Sequence, residues 1–385
     1  MTCDHGPARY GDPVITWREG VVERLETAWS GAQPMTVSVD DEPVRALAYP
    51  QVVGPVEVGA KVLLNVSALA RGLGTGGYAL VVARTDVLPP DPAPGPGHLV
   101  KARYTPLQTM VLGVDEQESE HHGALADADD LGGMPVVVAD VHSALPAVVA
   151  GLRHAAERAG APPPSVAYIL TDGGALPAWF SRTVAALREA GWLDVCVSTG
   201  QSFGGDLEAV TVHSGLLAAR HVAGADVAVV AQGPGNLGTG TRWGFSGVAA
   251  GEAINAAGVL RGRPVASLRV SAADARDRHL GVSHHSLTAY GRVALVPADV
   301  VVPRFGGGLT DRLADLGAMV AAQAATLTAP VGLHHLVTLT ADDALHAALA
   351  ATPVRLSTMG RGLDKDPAAF LASAVAGLHA FGLLD

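Results

Sequence analysis

The chain is poor in cysteine, in aromatic residues and in lysine, and the shortage of cysteine excludes two classes of protein. Only two of the 385 residues are cysteine, Cys3 and Cys196, so a disulfide framework and a cysteine-rich metal site are both excluded. A reducing compartment is therefore favoured. Because the N-terminal segment also lacks the apolar core of a secretory signal, we expect a cytoplasmic protein.

One long uncharged stretch, residues 316–340, raises the question of a membrane span. Gln323, Pro330 and the pair His334–His335 interrupt it, and alanine and threonine take the place of bulky aliphatic residues. A bilayer span would have to bury these polar groups in hydrocarbon. We therefore expect a buried helix, a turn at Pro330 and a following strand, with no membrane partner.

Basic residues are outnumbered by acidic ones, 26 to 37, which gives a net charge of −11. Residues 115–130 hold seven acids and no lysine or arginine, so the rest of the chain carries −4 and is close to balanced. Nucleic-acid binding needs a concentrated basic face, and we expect no such partner. With 49 % apolar and 16 % charged residues, the composition allows a large core, and the length predicts two or three domains.

The chain changes character at a cluster of prolines and glycines, residues 89–97, which we interpret as a linker. Before it, residues 14–88 contain short β-rich runs separated by turn residues, a pattern that predicts a small β-barrel of five or six strands. We expect residues 1–13 to form a flexible tail. Residues 98–385 form the second predicted domain, with residues 115–130 as an acidic loop.

Apolar runs of four to six residues alternate with segments of helical period throughout the second domain. Runs without polar alternation indicate strands that are buried on both faces, as in parallel sheets. The fold class predicted is therefore α/β, a doubly wound, mostly parallel, Rossmann-like sheet preceded by the small barrel. The predicted strands are Val136–Ala139, Val166–Leu170, Val195–Ser198, Val227–Ala231, Val265–Val270, Val293–Val296, Val300–Val302 and Leu336–Thr340.

Ligands of open parallel sheets bind beyond the carboxyl ends of the strands, so the loops that leave these strands are the candidate site. The longest of them is rich in glycine but fails two templates: the dinucleotide fingerprint lacks its acidic residue, and the P-loop lacks its lysine. Its backbone N–H groups and one arginine could still hold an anion. The predicted ligand-binding residues are Gly233, Gly235, Asn236, Gly238, Thr239, Gly240, Thr241 and Arg242, together with Arg304 after a later strand.

A second loop contains Gly200-Gln-Ser202-Phe-Gly204, which has the sequence context of a nucleophile elbow. Asp274 with His284 or His285 follows in the chain order that an α/β serine hydrolase requires. Against this interpretation, no oxyanion-loop motif precedes the serine, and short glycine patterns are common in a chain with 46 glycines. Ser202 stays a candidate nucleophile and the hydrolase an alternative.

Several other polar residues are predicted to lie at the same edge. Asp172, His142, His284 and His285 are the candidates for proton transfer if the protein is an enzyme. Asp140, His142 and Asp172 come from adjacent predicted strand ends and form a candidate site for a divalent metal. Helix capping explains Asp140 without a metal, so both interpretations remain open.

Five motifs give the chain a resemblance to a bacterial family catalogued as domain of unknown function thirty-eight sixty-six. They are KARYTPLQ (101–108), GGMPVV before the first sheet strand, HSALP (142–146), GGDLEAV (204–210) and GPGNLGTGT followed by WGFSG. The resemblance covers most of the chain and implies no activity or cofactor.

Three function classes follow from these observations. The first is a protein that binds a small, anionic ligand at the carboxyl edge of the sheet, with or without catalysis. The second is a serine hydrolase that uses Ser202, and the third is a non-catalytic regulatory or scaffold protein. The sequence identifies no cofactor and allows a homo-oligomer.

Overall fold

The computed structural model describes residues 14–328 and 332–384, so the predicted tail 1–13 and the predicted turn at Pro330 lie outside the described residues. The chain divides into two compact units, residues 1–95 and 96–385.

The first unit is a closed five-stranded barrel, as its turn-separated β runs predict. Its strands are β1 (Trp17–Leu25), β2 (Gln33–Val39), β3 (Glu42–Ala48), β4 (Lys61–Asn65) and β5 (Ala79–Arg84), with short helices α1 (Pro50–Val53) and α2 (Ser67–Ala70). Alternate residues such as Met35 and Val37 point into the core. Asp40 and Asp41, both at positive φ, make the two-residue turn that sets the register of β2 with β3.

The second unit is built from fourteen described strands and nine described α-helices. The strands are β6 (Leu99–Lys101), β7 (Thr109–Val111), β8 (Pro135–Val138), β9 (Val166–Thr171), β10 (Val195–Ser198), β11 (Leu207–Glu208), β12 (Val227–Gln232), β13 (Arg263–Ser267), β14 (Val270–Ser271), β15 (Gly281–Val282), β16 (Asp299–Phe305), β17 (His335–Ala341), β18 (Ser357–Thr358) and β19 (Arg361–Gly362). The helices are α3 (His122–Leu125), α4 (Leu145–Ala159), α5 (Arg182–Glu189), α6 (Val212–His221), α7 (Ala249–Val259), α8 (His284–Thr288), α9 (Thr310–Ala325), α10 (Asp343–Ala350) and α11 (Pro367–Phe381).

Eight of these strands form one parallel sheet in the order β11-β10-β9-β12-β8-β13-β16-β17, which confirms the predicted α/β class. The chain runs from β8 towards one edge and later from β12 towards the other. Because such crossovers are right-handed, the helices that follow β8 and β12 lie on opposite faces of the sheet. Accordingly, α4 packs with α10 and α11, whereas α7 packs with α6.

The apolar segment Val293–Val296, predicted as a strand, is the end of a π-helix and the loop after it. The prediction was wrong because these valines are buried against a helix and do not belong to a strand. A Cβ added to Gly251 would meet Val293 at 2.6 Å, and one added to Gly258 would meet Val296 at the same distance. Both valines therefore pack closely against α7. In the part of the chain that is described, no helix has the length and apolar character to cross a bilayer.

Candidate functional site

The centre of the sheet has the topology that creates a ligand crevice. The neighbouring strands β8 and β12 are followed by helices on opposite faces, and the space beyond their carboxyl ends is the usual binding position in such sheets. A small pocket lies here and is lined by Asp140, Thr171, Gln232, Ser246 and Gly247, among others.

Asp140 is a buried carboxylate without hydrogen-bond partners in the described chain. It follows β8, its residue is 1 % exposed, and both side-chain oxygens lack a donor. The nearest cationic atom is Nη1 of Arg269, 4.0 Å from Oδ2, and Nδ1 of His285 lies 3.6 Å away. Buried carboxylates are normally paired or hydrogen-bonded, so an unpartnered one at a crevice is a functional candidate.

Arg269 follows β13, the strand beside β8, and its side chain is only 11 % exposed. Its Nη1 donates a 3.1 Å hydrogen bond to Nδ1 of His285. It also lines a second pocket, together with Arg361 and the hydroxyl side chains of Ser143, Ser271, Thr358 and Ser373. Of its five N–H donors, one has an acceptor among the described residues, the His285 nitrogen.

Three histidines meet beside Arg269: His279, His284 and His285. One ring nitrogen from each lies within 4.8 Å of the others, and the ring centroids are 4.4 to 5.0 Å apart. Burial lowers the pKa of His279 to about 3 and that of His284 to about 4, so both rings are neutral at pH 7. Phe245 stacks parallel on His285 at 3.8 Å and restrains its ring.

An ion-pair network supports the loop that carries His279. Arg361 bridges Asp274 at 3.1 Å and Asp366 at 3.1 Å, and Arg276 pairs with Asp274 at 2.9 Å. The hydrogen bonds from Arg276 hold the pKa of the Asp274 carboxyl well below its usual value. These two arginines make direct hydrogen bonds to carboxylates, whereas Arg269 makes none to Asp140, and the bonds to Asp274 fix the chain between β14 and β15.

A comparison with known families covers both units. The profile of a family described as Protein of unknown function (DUF3866) matches residues 45–377, which is well over half of the chain. The chain belongs to this family. No curated protein and no solved structure matches it. The resemblance carried by the five sequence motifs is thereby confirmed, and the description of the DUF3866 family states no activity.

His142, the histidine of the HSALP motif in the DUF3866 chain, lies within a buried series of hydrogen bonds. Its Nδ1 lies 2.9 Å from the Tyr168 hydroxyl, and its Nε2 lies 2.8 Å from Oγ of Ser181, which caps α5. The Tyr168 hydroxyl is also 3.0 Å from the carbonyl oxygen of Gln232. Both ring nitrogens are thus occupied, and burial lowers the His142 pKa to about 4.

We expect His142 to make the DUF3866 protein less stable in acid. Its folded pKa lies below the ordinary 6.5, so the unfolded chain binds the extra proton and the free energy of unfolding decreases as the pH falls from about 6.5 towards 4. Between pH 7 and pH 5 the His142 contribution should amount to about 2 kcal/mol. Urea denaturation of the wild type and His142→Gln at both pH values measures it. An equal pH dependence in the two proteins would contradict the assignment.

Asp172 and Ser202 follow β9 and β10, on the opposite side of the sheet centre from Arg269. The glycines near them are required by close contacts in the fold. A Cβ on Gly200 would lie 2.3 Å from Oδ2 of Asp172, and a Cβ on Gly204 would lie 2.5 Å from the ring of Trp179. Asp172 also accepts a hydrogen bond from the backbone N–H of Gln201. The glycine spacing that suggested a nucleophile elbow therefore reflects close packing.

Ser202 lacks the surroundings that a nucleophile needs. The residue is fully buried and its Oγ has no hydrogen-bond partner among the described atoms. The strand before it, β10, is four strand spacings, about 19 Å, from β13, which precedes His284 and His285. Oγ of Ser202 makes no hydrogen bond to a histidine, and Asp140, His142 and Asp172 form no metal-holding group, in the described chain.

The glycine-rich loop of this DUF3866 protein folds back on itself and leaves α7 to begin later, at Ala249. The N–H of Thr239 donates to the carbonyl of Gly244, and the N–H of Ser246 donates to that of Leu237. Side chains also close the loop: Thr241 accepts from Gly244, and Asn236 accepts from Gln232. The predicted ligand-binding residues Gly235, Gly238, Gly240 and Arg242 are exposed.

Gly233, the first glycine of that loop, and Arg304 each contact a neighbouring segment of the chain. A Cβ on Gly233 would lie 2.5 Å from the carbonyl oxygen of Ala175. Arg304 is exposed and donates a 2.8 Å hydrogen bond to Thr340 on the adjacent strand β17. Neither residue belongs to the group around Asp140.

Arg269, His279 and the buried Lys101 were not predicted as functional residues from the sequence. One signal was available for each. Arg269 is the one charged residue inside the predicted strands of the second domain, in Val265–Val270, and His279 lies five residues before a histidine that was predicted. Lys101 is one of only three lysines and sits inside a family motif.

Proposed function

We propose that this DUF3866 protein binds a small anionic molecule at the carboxyl edge of its parallel sheet, with Arg269 as the principal anchor. The observation that carries the proposal is the state of its guanidinium. It is nearly buried and yet makes one described side-chain hydrogen bond, to a histidine. A buried guanidinium normally has its donors satisfied, and an anion supplies two acceptors in the matching geometry.

The charges around the pocket support the same assignment. Arg276 and Arg361 are engaged by Asp274 and Asp366, so they add little to the attraction for an anion. Asp140 is 4.0 Å from Arg269, at the limit of an ion pair. Arg269 therefore has donors to offer that Arg276 and Arg361 do not, and the Thr358 hydroxyl, which accepts from Ser143, can donate to the same oxyanion.

The position in the fold supports a ligand rather than a purely structural role. Arg269 leaves β13 next to β8, beside the point where the chain direction across the sheet reverses. Small molecules bind at that point in open α/β sheets because strand ends and loops leave a crevice there.

The proposal predicts a ligand response that depends on Arg269. Thermal unfolding should be measured in chelator-treated buffer with inorganic phosphate, sugar phosphates, nucleotides and small carboxylates. A compound at a hundred times its Kd should add about 2.7 kcal/mol to the free energy of unfolding. Because a hydrogen bond to a charged group contributes about 1.5–3 kcal/mol, Arg269→Gln should weaken binding about 10- to 100-fold.

Two matched variants separate this site from its alternatives. Arg355→Ala removes an exposed arginine outside the pocket and should leave binding unchanged. Arg242→Ala tests the glycine-rich loop. Binding that survives Arg269→Gln but disappears in Arg242→Ala would move the site to that loop, and a panel without any response would refute the proposal.

A further inference from the structure

We propose that His279, His284 and His285 bind one divalent transition-metal ion of the Zn²⁺ class, with Asp140 as the residue that positions His285. This inference goes beyond anion binding and does not depend on it, because the ligands belong to this chain alone.

The arrangement of the three rings supports the inference. Their ligating nitrogens lie within 4.8 Å of one another, close enough for small side-chain movements to bring all three to about 2.0–2.1 Å from one ion. His284 and His285 are adjacent in sequence, but they lie in the first turn of α8, not in a strand, so their rings share one side with centroids 4.4 Å apart. His279 comes from the preceding loop and completes the triangle.

One ring nitrogen of this cluster has no partner in the chain. Nε2 of His284 is buried and makes no hydrogen bond to a described residue. A ligand for that nitrogen would remove its desolvation cost.

Neighbouring groups orient the rings as they do around known metal ions. Nδ1 of His279 lies 2.8 Å from Oγ of Ser283, and with Nδ1–H donating there, Nε2 is left for the metal. In the metal-free chain Nδ1 of His285 accepts from Arg269; with Nε2 on a metal, Nδ1 would carry the proton instead, and the unpartnered carboxylate of Asp140, 3.6 Å away, would be the acceptor on that side of the ring. Phe245 stacks on the His285 ring and limits its rotation.

The donor set selects the metal class and leaves a coordination position open. Imidazoles suit Zn²⁺, Cu²⁺, Ni²⁺ and Fe²⁺, whereas Mg²⁺ and Ca²⁺ prefer oxygen ligands. Three protein ligands with a fourth position open are typical of catalytic rather than structural zinc sites. A water or an anionic ligand would occupy that position.

The test is a direct measurement of metal binding on the full-length protein without a polyhistidine tag. The chain is stripped with a chelator, and Zn²⁺ is then titrated against a chromogenic competitor, with the bound metal counted by atomic emission. We expect one Zn²⁺ per chain. His284→Gln and His279→Gln should each lower the affinity by more than 100-fold, whereas Asp140→Asn should lower it about 10- to 100-fold, as loss of a positioning carboxylate does.

Two controls keep the result interpretable. The metal-free form of His284→Gln should melt at the wild-type temperature, because the Nε2 that it alters makes no described hydrogen bond. His121→Ala/His122→Ala removes another adjacent pair, in the acidic segment, and should bind Zn²⁺ as the wild type does. Co²⁺ added to the wild type should give the intense visible absorption of a four-coordinate site.

Specific outcomes would overturn the inference. They are a wild-type stoichiometry far below one, equal affinity in wild type and His284→Gln, or loss of binding in the His121/His122 variant alone. The titration uses buffers without phosphate or other small anions, apart from the competitor. A failure of metal binding is therefore distinguishable from a failure of anion binding, which is measured in the presence of chelator.

Discussion

Replacing Lys101 with methionine should decrease the free energy of unfolding by about 3–5 kcal/mol, the usual cost of removing one partner from a buried ion pair. Lys101 is fully buried on β6 and donates to the carbonyl oxygens of Ser202 and Ala209 at 2.8 and 2.9 Å. Its Nζ also lies 3.4 Å from Oε2 of Glu208. Burial lowers the pKa of Lys101 and raises that of Glu208, so each charge depends on the other.

Urea denaturation with a double-mutant cycle measures this effect. Glu208→Gln in the Lys101→Met background removes the charge left unpaired, and the double variant should be more stable than Lys101→Met alone. Lys365→Met is the matched control, because Lys365 is exposed and its loss should change stability by less than about 0.5 kcal/mol. Equal changes in the free energy of unfolding for the two lysine substitutions would refute the role of Lys101 in holding β6 to the β10–β11 region.

Gly151→Ala should destabilise the second unit by about 3 kcal/mol or more, at the upper end of overpacking effects. A Cβ at Gly151 in α4 would lie 2.0 Å from the carbonyl oxygen of Ala374 in α11. The reverse contact is as close, since a Cβ at Gly377 would lie 2.1 Å from the carbonyl oxygen of Val148. Backbone atoms cannot rotate away as a side chain can, so the two helices would have to separate.

Thermal and urea unfolding of three variants test this close approach. Gly377→Ala should resemble Gly151→Ala, and the double variant should cost less than the sum because one separation of the helices accommodates both methyl groups. Gly123→Ala in α3 is the control: nothing lies within 4 Å of its added Cβ, and alanine favours helix by up to about 1 kcal/mol. A tolerated Gly151→Ala would mean that the helices are packed less closely.

Local patterns in the sequence were enough to predict the architecture. Val-rich runs without polar alternation predicted the central strands, and turn-separated runs predicted the barrel, because burial on one or both faces fixes the period of apolar residues. The same reasoning failed at Val293–Val296, where apolar character came from packing against glycines of α7. An apolar run indicates that a segment is buried, but it does not show whether that segment is a strand or a helix.

The candidate site was predicted only as a region. The topology rule for parallel sheets predicts a ligand site at the strand-exit loops, and Asp140, His284 and His285 were among the residues predicted there. Glycine motifs were the weaker guide: Gly200, Gly204 and Gly233 are required by close contacts with Asp172, Trp179 and Ala175. A glycine needed for packing and one needed for a ligand look alike in sequence.

The sequence by itself determined the class, the order of elements and the family, because these depend on periodicity and on motifs along the chain. The tertiary structure decided which polar residues meet. It paired His142 with Tyr168 and Ser181, and it gathered Arg269 and three histidines near Asp140. Partners from distant strands become neighbours only through strand order and crossovers, and no local pattern encodes the resulting distances.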